Sequence, residues 1–208
     1  MIAILDYGSG NLRSALRAFE KTGRKVFLTS DPEQAAKADA LVVPGVGAFG
    51  ACMDGLKSVN GDQVINARKA SGKPTLGICV GMQILFDSGE EQGKFPGVGL
   101  LRGVVKQLDA PILPHMGWNT LRIEGESKLF KGIEKERFYF VHSYAVKYAA
   151  NDAVKDPVTG ATTAAAFTNY HGEFLAAIEA GPITATQFHP EKSGEAGLQL
   201  IKNWVENL

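Results

Sequence analysis

Short runs of apolar residues alternate with segments of helical spacing through the first part of the chain. Each run is apolar throughout, which predicts a buried strand, and the runs are Ile2–Leu5, Val26–Leu28, Leu41–Val43 and Thr75–Ile78. The intervening segments predict helices from Leu12, from Pro32 behind an Asp31 cap, near Ala48–Leu56 and near Asp62–Ala70. Apolar strands that alternate with helices are typical of a parallel sheet covered on both faces.

The pattern changes beyond Gly89, where strands follow one another with turns between them. These predicted strands are Leu101–Leu108, Leu113–Ile123, Arg137–Tyr148, Thr162–Asn169 and a late hairpin of Phe174–Glu179 with Ile183–Phe188. Helical spacing returns in the last segment, Gly194–Leu208. We therefore predict an α/β fold with a mostly parallel sheet flanked by helices and an antiparallel extension. No repeat, low-complexity tract or linker divides the sequence, so we expect a single domain over residues 1–208.

Charge and cysteine content narrow the classes of function. The 22 basic residues balance 22 acidic ones, which gives no support for nucleic acid or an anionic membrane as a partner. No apolar run reaches the length of a transmembrane helix. Cys52 and Cys79 lie in different settings, and no cysteine–histidine cluster has zinc spacing. We expect no disulfide scaffold, no metal, no cofactor and a cytoplasmic location.

The stretch Leu76–Gln83 carries the strongest chemical signal. An apolar strand ends on Cys79, Gly77 and Gly81 stand two positions to either side, and a helical pattern follows. Small residues on both sides let a strand turn sharply into a helix, as at the nucleophile elbow of hydrolases, with sulfur in place of oxygen. Helix amides behind the thiol favour its thiolate form. We interpret Cys79 as a nucleophile.

A cysteine nucleophile needs a base and a group that orients the base. His189 follows the predicted strand Ile183–Phe188, and Glu191 stands two residues later, on the same side of an extended segment. A carboxylate in that position can accept the imidazole N–H and fix the tautomer of the ring. The predicted triad is therefore Cys79, His189 and Glu191.

Acyl transfer also needs N–H donors for an oxyanion. The amide of Val80 directly follows the nucleophile. Gly45 and Gly47 let the loop around Val46 take unusual backbone angles and turn an amide inward, which makes Val46 the natural second donor. The same flexibility gives a hypothesis of regulation, in which the Val46 amide is turned away in the resting protein.

Several stretches together resemble a known enzyme family. Gly77–Gln83, Gln187–Ser193 and Pro44–Gly47 resemble the class I (triad) glutamine amidotransferases. More narrowly, the chain resembles the glutaminase subunits of imidazole glycerol phosphate synthase, in histidine biosynthesis, on the stretches Asp6–Leu12, Pro114–Asn119 and Tyr139–Tyr144. In order and spacing this resemblance covers essentially the whole chain.

The resemblance implies that the chain hydrolyses glutamine to glutamate and ammonia through a glutamyl thioester on Cys79. It also implies where the amino-acid end of the substrate is held. By resemblance, this substrate site consists of Gly47, Gln83, an acidic residue taken as Glu91 rather than Glu90, Ser143 and Tyr144.

The resemblance further implies a partner. Ammonia would pass to a (β/α)8-barrel cyclase subunit, which forms a heterodimer with the glutaminase and makes imidazole glycerol phosphate and aminoimidazole carboxamide ribotide. Asn11, Met116 and Trp118 would lie at that interface. An isolated tryptophan is more often a core residue, so the turn context of Trp118 is what favours the interface.

Other interpretations remain open from the sequence. A glutaminase subunit of another synthase, for anthranilate, aminodeoxychorismate or pyridoxal phosphate, shares the predicted triad. A cysteine peptidase or other thiol hydrolase also presents an elbow thiol, and a non-catalytic binding protein can retain the same fold. Cys52 is interpreted as a packed apolar residue, His115 and His171 as structural or solvent-facing turn residues, and His142 as a structural residue or a group near glutamine.

Overall fold

The computed structural model of the protein describes residues 1–147 and 164–208. Helices and strands alternate through the first part, as the sequence predicts: β1 (Ile2–Leu5), α1 (Leu12–Glu20), β2 (Val26–Thr29), α2 (Pro32–Lys37), β3 (Ala40–Gly45), α3 (Phe49–Ser58), α4 (Gly61–Ala70), β4 (Thr75–Cys79) and α5 (Val80–Gln83). Strands dominate the rest: β5 (Phe86–Gly89), β6 (Phe95–Pro96), β7 (Leu101–Gln107), β8 (His115–Thr120), β9 (Arg122–Glu124), β10 (Arg137–His142), β11 (Tyr144–Val146), β12 (Ala164–Asn169), β13 (Glu173–Ala180) and β14 (Ile183–Thr186). A 3-10 turn, Pro190–Lys192, then leads into α6 (Gly194–Glu206).

The central sheet joins a parallel half to an antiparallel half. Its order is β2-β1-β3-β4-β14-β13-β12-β9, with parallel pairing from β2 to β14 and antiparallel pairing from β14 to β9. The predicted α/β fold, with a mostly parallel sheet flanked by helices and an antiparallel extension, is confirmed. The predicted late hairpin is also confirmed, since β13 and β14 pair around Gly181.

Several strands predicted in the second half do not extend the central sheet. β7 lies in a separate four-stranded sheet of order β11-β7-β5-β6, and β10 pairs only with β8 in the sheets described. The stretch Leu113–Ile123, predicted as one strand, is divided into β8 and β9, which belong to different sheets. The stretch Arg137–Tyr148 is divided at Ser143 into β10 and β11, and Tyr148 lies outside the described residues. The predicted start of the next strand at Thr162 is also outside them.

The central strands are buried because apolar residues occupy both of their faces. Every residue of β1, β3, β4 and β14 is buried, as expected for strands covered on both sides. The pairing register sets Gly45, the last residue of β3, directly beside Cys79, the last residue of β4. The glycine-rich loop after β3 therefore begins next to the elbow, at the carboxyl edge where sites form in such sheets.

Candidate active site

Cys79 lies at a sharp bend between β4 and α5. Its backbone angles are φ 55 and ψ −114, in a region that residues other than glycine rarely adopt. The bend is crowded: a Cβ added at Gly81 would lie 1.9 Å from the Val43 carbonyl oxygen, and one added at Gly77 would lie 2.6 Å from the carbonyl oxygen of Gly81. Glycines therefore allow the close crossing that a nucleophile elbow requires, and the strained residue is the predicted nucleophile.

His189 and Glu191 form a buried pair. His189 Nδ1 lies 2.8 Å from Glu191 Oε1, and each side chain is only 3% exposed. The expected extended segment is wrong, because Pro190 opens a 3-10 turn. The turn is short enough that the i, i+2 side chains still meet. The His189 backbone is fixed as well, since its N–H donates to the Tyr139 carbonyl and its own carbonyl accepts from Ser193 Oγ.

Glu191 engages Nδ1 of His189, which leaves Nε2 as the ring nitrogen available to the thiol of Cys79, and both residues line the same cavity as the pocket in front of Cys79 shows for His189 and Cys79. Burial alone lowers the pKa of His189, but the hydrogen bonds and charges of Cys79 and Glu191 outweigh it and raise the pKa to about 9. The raised pKa favours a protonated imidazole beside the Glu191 carboxylate at neutral pH. The structure brings the three predicted triad residues together in the order nucleophile, base and orienting group.

Two glutamines form a chain of hydrogen bonds that ends at the nucleophile. Gln187 Nε2 donates to Cys79 Sγ at 3.8 Å, and Gln187 Oε1 accepts from Gln83 Nε2 at 3.0 Å. Gln83 was predicted as a substrate residue, whereas the sequence analysis missed Gln187. The sequence could have indicated Gln187, because it directly follows β14 and stands two residues before His189. The same loop therefore carries both side chains to the edge of the sheet.

Ser9 and Cys52 hold the backbone of Val46 through its N–H and its carbonyl. Its N–H donates to Ser9 Oγ at 3.0 Å, and its carbonyl accepts from Ser9 Oγ at 2.8 Å and from Cys52 Sγ at 3.3 Å. The amide predicted as the second oxyanion donor is thus engaged by a side chain on the loop after β1. A role for Val46 in the oxyanion hole stays a prediction, and it requires this peptide to leave Ser9. Val80 lines the site directly after the nucleophile.

A cavity of about 520 Å³ opens in front of Cys79, within the size range of small-molecule sites. The predicted residues that line it are Val46, Gly47, Cys79, Val80, Gln83, Glu91, Ser143, Tyr144 and His189. The sequence analysis missed further lining residues, namely Ala48, Gln92, Pro114, Val141 and Lys192. One feature of the sequence could have indicated these lining residues: each lies within a few positions of a predicted site residue.

The structure distinguishes the two acidic residues at the cavity edge. Glu91 lines the cavity, and its Oε2 accepts from the backbone N–H of Phe49 at the start of α3, at 2.7 Å. Glu90 instead lies 3.5 Å from Lys106 Nζ. Glu91 therefore faces the cavity, and its role in holding the substrate stays a prediction.

The predicted interface residues lie on exposed loops and strands. Met116 and Trp118 point outward from β8 with 63% and 52% of their surface exposed, so Trp118 is not a core residue. Ile112, which the sequence analysis missed, is 69% exposed in the preceding loop. The Asn11 side chain caps α1 by accepting from Ser14 N–H. Whether these residues contact a partner stays a prediction.

Two of the four histidines, His115 and His142, have positions that the sequence placed wrongly or left open. His115 was interpreted as a turn residue but begins β8 and is buried, because β8 starts directly after Pro114. His142 is buried at the end of β10 and lines the cavity. His171 is exposed in a turn with φ 53, as expected for a solvent-facing residue.

Comparison with known proteins identifies the family. The profile of the family described as "Glutamine amidotransferase class-I" matches residues 3–208 of this chain. The chain belongs to the class-I glutamine amidotransferases. Solved structures agree on the fold: PurLQS from Thermotoga maritima has a TM-score of 0.73 at 18% identity, and the match covers 99% of this chain and 97% of that one. The glutaminase domain of CTPS from Trypanosoma brucei has a TM-score of 0.62 at 17% identity, over 99% and 93%.

Relatives within this amidotransferase family are much more similar. Two proteins named "Imidazole glycerol phosphate synthase subunit HisH" are 53% identical in Corynebacterium diphtheriae, over 100% of this chain and 99% of theirs, and 54% identical in Corynebacterium glutamicum, over 98% and 97%. A third, from Nocardia farcinica, is 54% identical over 100% and 98%. The narrower resemblance stated from the sequence is thereby confirmed.

Proposed function

We propose that this amidotransferase hydrolyses glutamine to glutamate and ammonia through a thioester on Cys79. It supplies the ammonia to a (β/α)8-barrel cyclase subunit that makes imidazole glycerol phosphate and aminoimidazole carboxamide ribotide in histidine biosynthesis. The observation that carries this function is the strained Cys79 in the same cavity as His189 of the buried His189–Glu191 pair, in a chain more than half identical to HisH subunits. The similarity over the whole chain favours this synthase over those for anthranilate, aminodeoxychorismate or pyridoxal phosphate.

The thiolate of Cys79 attacks the side-chain carboxamide carbon of glutamine and forms a tetrahedral intermediate with a negatively charged oxygen. The Val80 amide stabilises that oxygen, and the Val46 amide joins it once its peptide has left Ser9. His189, protonated in the resting site, gives its proton to the departing amine, so the C–N bond breaks and ammonia leaves. A glutamyl thioester remains on Cys79.

Water completes the reaction. Neutral His189 takes a proton from the attacking water, and collapse of the second tetrahedral intermediate breaks the C–S bond. Glutamate leaves, and the thiolate and the imidazolium are restored. Glu191 keeps the imidazole in one orientation throughout and stabilises its charged form, because its carboxylate holds Nδ1.

The amino-acid end of glutamine is held at the far side of the cavity. We assign its ammonium to the carboxylate of Glu91 and the side-chain oxygen of Gln83, since both are acceptors at the cavity wall. Backbone groups of Gly47, Ser143 and Tyr144 complete the site. Fixing this end orients the carboxamide on Cys79, and orientation supplies a large part of the rate of such reactions.

The cyclase would contact the face that presents Met116 and Trp118, with Asn11 at its edge. Exposed aromatic and methionine side chains are enriched at protein interfaces, which supports this assignment.

We further propose a single glutamine amidotransferase domain over residues 1–208, since the family profile matches residues 3–208. We also propose a cytoplasmic location, since a free cysteine nucleophile suits a reducing compartment. No helix in residues 1–147 or 164–208 is long and apolar enough to cross a membrane.

Isotope labelling of the substrate amide tests this function. The complex of this chain with its cyclase receives glutamine carrying a heavy nitrogen isotope at the side-chain amide, in the presence of unlabelled ammonium. We expect glutamate release and heavy nitrogen in the imidazole product, because ammonia passes directly between the subunits. An unlabelled product, or peptide cleavage without glutamate release, would contradict the proposal.

A further inference from the structure

Two buried histidines outside the triad lie between the exposed face of β8 and the substrate cavity. His115 is 4% and His142 is 7% exposed, and the β8–β10 pairing sets them directly opposite each other. His142 also lines the cavity. None of the reaction steps above uses either ring.

Hydrogen bonding defines the tautomer of both rings. His142 Nδ1 lies 2.9 Å from the Tyr144 carbonyl oxygen, which only accepts, so Nδ1 carries the hydrogen. His142 Nε2 lies 3.1 Å from His115 Nδ1. In a neutral His142 ring Nε2 is then an acceptor, so His115 Nδ1 is the donor. The order of donation is His115 to His142 to Tyr144.

Burial keeps this order fixed at ordinary pH. Burial lowers the pKa of His142 to about 3 and outweighs the raising effect of the Tyr144 carbonyl, while His115 and His189 add smaller lowering effects. Burial likewise lowers the pKa of His115 to about 4. Aromatic rings hold both imidazoles in place: His115 stacks on Tyr170 at 4.2 Å, and His142 meets the edge of Phe174 at 4.9 Å.

The Tyr144 carbonyl is where this pair meets the substrate site. It accepts from His142 Nδ1 and also from Gln83 Nε2, both at 2.9 Å. Gln83 Nε2 gives its other hydrogen to Gln187 Oε1. With both amide hydrogens used, only the Oε1 atom of Gln83 is left for a ligand. The neighbouring Ser143 carbonyl is fixed separately by the Leu108 N–H.

We infer that His142, oriented by His115, is a positioning residue for glutamine. It fixes the Tyr144 carbonyl, which in turn holds the Gln83 side chain with its oxygen toward the substrate. This inference rests on the proposed function, because it takes Gln83 and Tyr144 as glutamine-binding residues. The pair connects the substrate cavity to β8, the strand that carries Met116 and Trp118.

Substitutions of His142 separate positioning from packing. His142→Phe keeps an aromatic ring among its neighbours but removes both nitrogens. In the complex with the cyclase we expect KM for glutamine to rise about tenfold, with kcat changed less than about twofold, because one donor to a buried carbonyl is lost. His142→Asn places an amide nitrogen where Nδ1 was, and we expect KM within about threefold of the wild-type value.

A second comparison tests the direction of donation. His142→Gln places its amide nitrogen nearer the Nε2 position, so we expect KM to rise as in His142→Phe, although the variant is as polar as His142→Asn.

Substitution of His115 tests whether it acts through His142. His115→Phe should raise KM about threefold in the wild-type chain and add nothing to His142→Asn, since the bond between the rings is already gone. His171→Asn is the matched control in an exposed turn, with KM unchanged.

The outcomes are distinguishable. Glutamate release and ammonia-supported cyclase turnover are measured for each complex, together with its melting temperature. An unchanged KM in His142→Phe and His142→Gln, equal rises in His142→Asn and His142→Gln, or a fall in kcat alone would overturn the inference. If His142→Phe fails to fold, the comparison of KM between His142→Asn and His142→Gln still tests whether His142 positions glutamine. Absence of glutamate release by the wild-type complex would contradict the proposed function instead.

Discussion

Protonation of His189 links the two halves of the proposed reaction, because the imidazolium gives its proton to the departing amine and the neutral ring then takes one from water. Its pKa near 9 results from contacts with Cys79 and Glu191 that outweigh burial. The folded value lies above the ordinary one. The stabilisation from this charged pair is therefore fully present below the unfolded pKa of about 6.5 and is lost as pH rises through about 9.

This proton predicts an alkaline limit to activity. We expect kcat/KM for glutamine to fall as pH rises above about 9, because neutral His189 has no proton for the departing amine. Glu191→Gln removes one cause of the raised pKa, so its limit should lie at lower pH and its kcat should fall about a hundredfold. Glutamate release measured across this range checks both. A limit that is identical in the two proteins would contradict the role of Glu191.

The placement of the three predicted triad residues in one site could be foreseen because each belongs to a local pattern: glycines around Cys79, and His189 and Glu191 at a strand end. Other contacts of the site could not. Ser9 meets Val46 across 37 residues of sequence, and Gln187 meets Cys79 across 108, so no spacing reveals them. Such contacts depend on which strands become neighbours, which the tertiary fold decides.

Packing at the crossing of β3, β4 and α5 gives a prediction of stability. Gly81→Ala would place a Cβ against the Val43 carbonyl, so we expect a loss of about 3 kcal/mol in the free energy of unfolding. Gly72→Ala is the control, because its φ is 68 with open space around it and should cost only about 1 kcal/mol. Denaturant unfolding compares the two. Equal losses would mean that the crossing tolerates a side chain.

The loop after β3 gives a prediction of regulation. Ser9→Ala removes the acceptor of the Val46 N–H, so the peptide turns more easily toward Cys79. We expect glutamate release with the unloaded cyclase to rise about tenfold, because both hydrogen bonds between Ser9 Oγ and Val46 are lost, and to change little once the cyclase holds its substrate. Ser58→Ala, which loses only a contact to the Gly55 carbonyl, is the control. Basal turnover that is unchanged or lower would contradict this loop mechanism.

Helices and strands were predictable where one pattern lasted for a whole element. Leu113–Ile123 has a continuous strand pattern, yet the chain changes sheets between β8 and β9, and period-two alternation carries no information about which sheet a strand joins.

The burial of Arg68 could not be predicted either, because an arginine on α4 is expected to be a surface charge. It is 1% exposed, and its guanidinium donates to backbone carbonyls that include those of Ala35, Ala38 and Pro74.

For the molecule as a whole, the exposed face of β8 predicts where the cyclase binds. Trp118→Ala should weaken association by about 2 kcal/mol, which is about thirtyfold in Kd, because exposed aromatic residues often dominate such interfaces. The melting temperature of the isolated chain should change little, since the ring is 52% exposed. Leu28→Ala, on the edge strand β2 of the central sheet, is the control with unchanged Kd. Equal affinity of the Trp118→Ala variant and the wild-type chain for the cyclase would contradict a cyclase interface centred on Trp118.

The fold class could be predicted for the whole chain because the parallel half follows from alternating elements alone. The division of the second half into three sheets could not, since it depends on long-range pairing such as β14 beside β4. That pairing is also what carries His189 to Cys79. The elbow and the base are encoded by separate local patterns, and the sheet brings them together.

Glutamate release by the Cys79→Ala complex tests the central claim most directly. We predict that this variant, assembled with its cyclase, releases no glutamate from glutamine yet still forms the imidazole product when ammonia is supplied, because only the thiol is missing. Glutamate release at the wild-type rate, or loss of both activities in a folded and assembled complex, would contradict the assignment of Cys79 as the nucleophile.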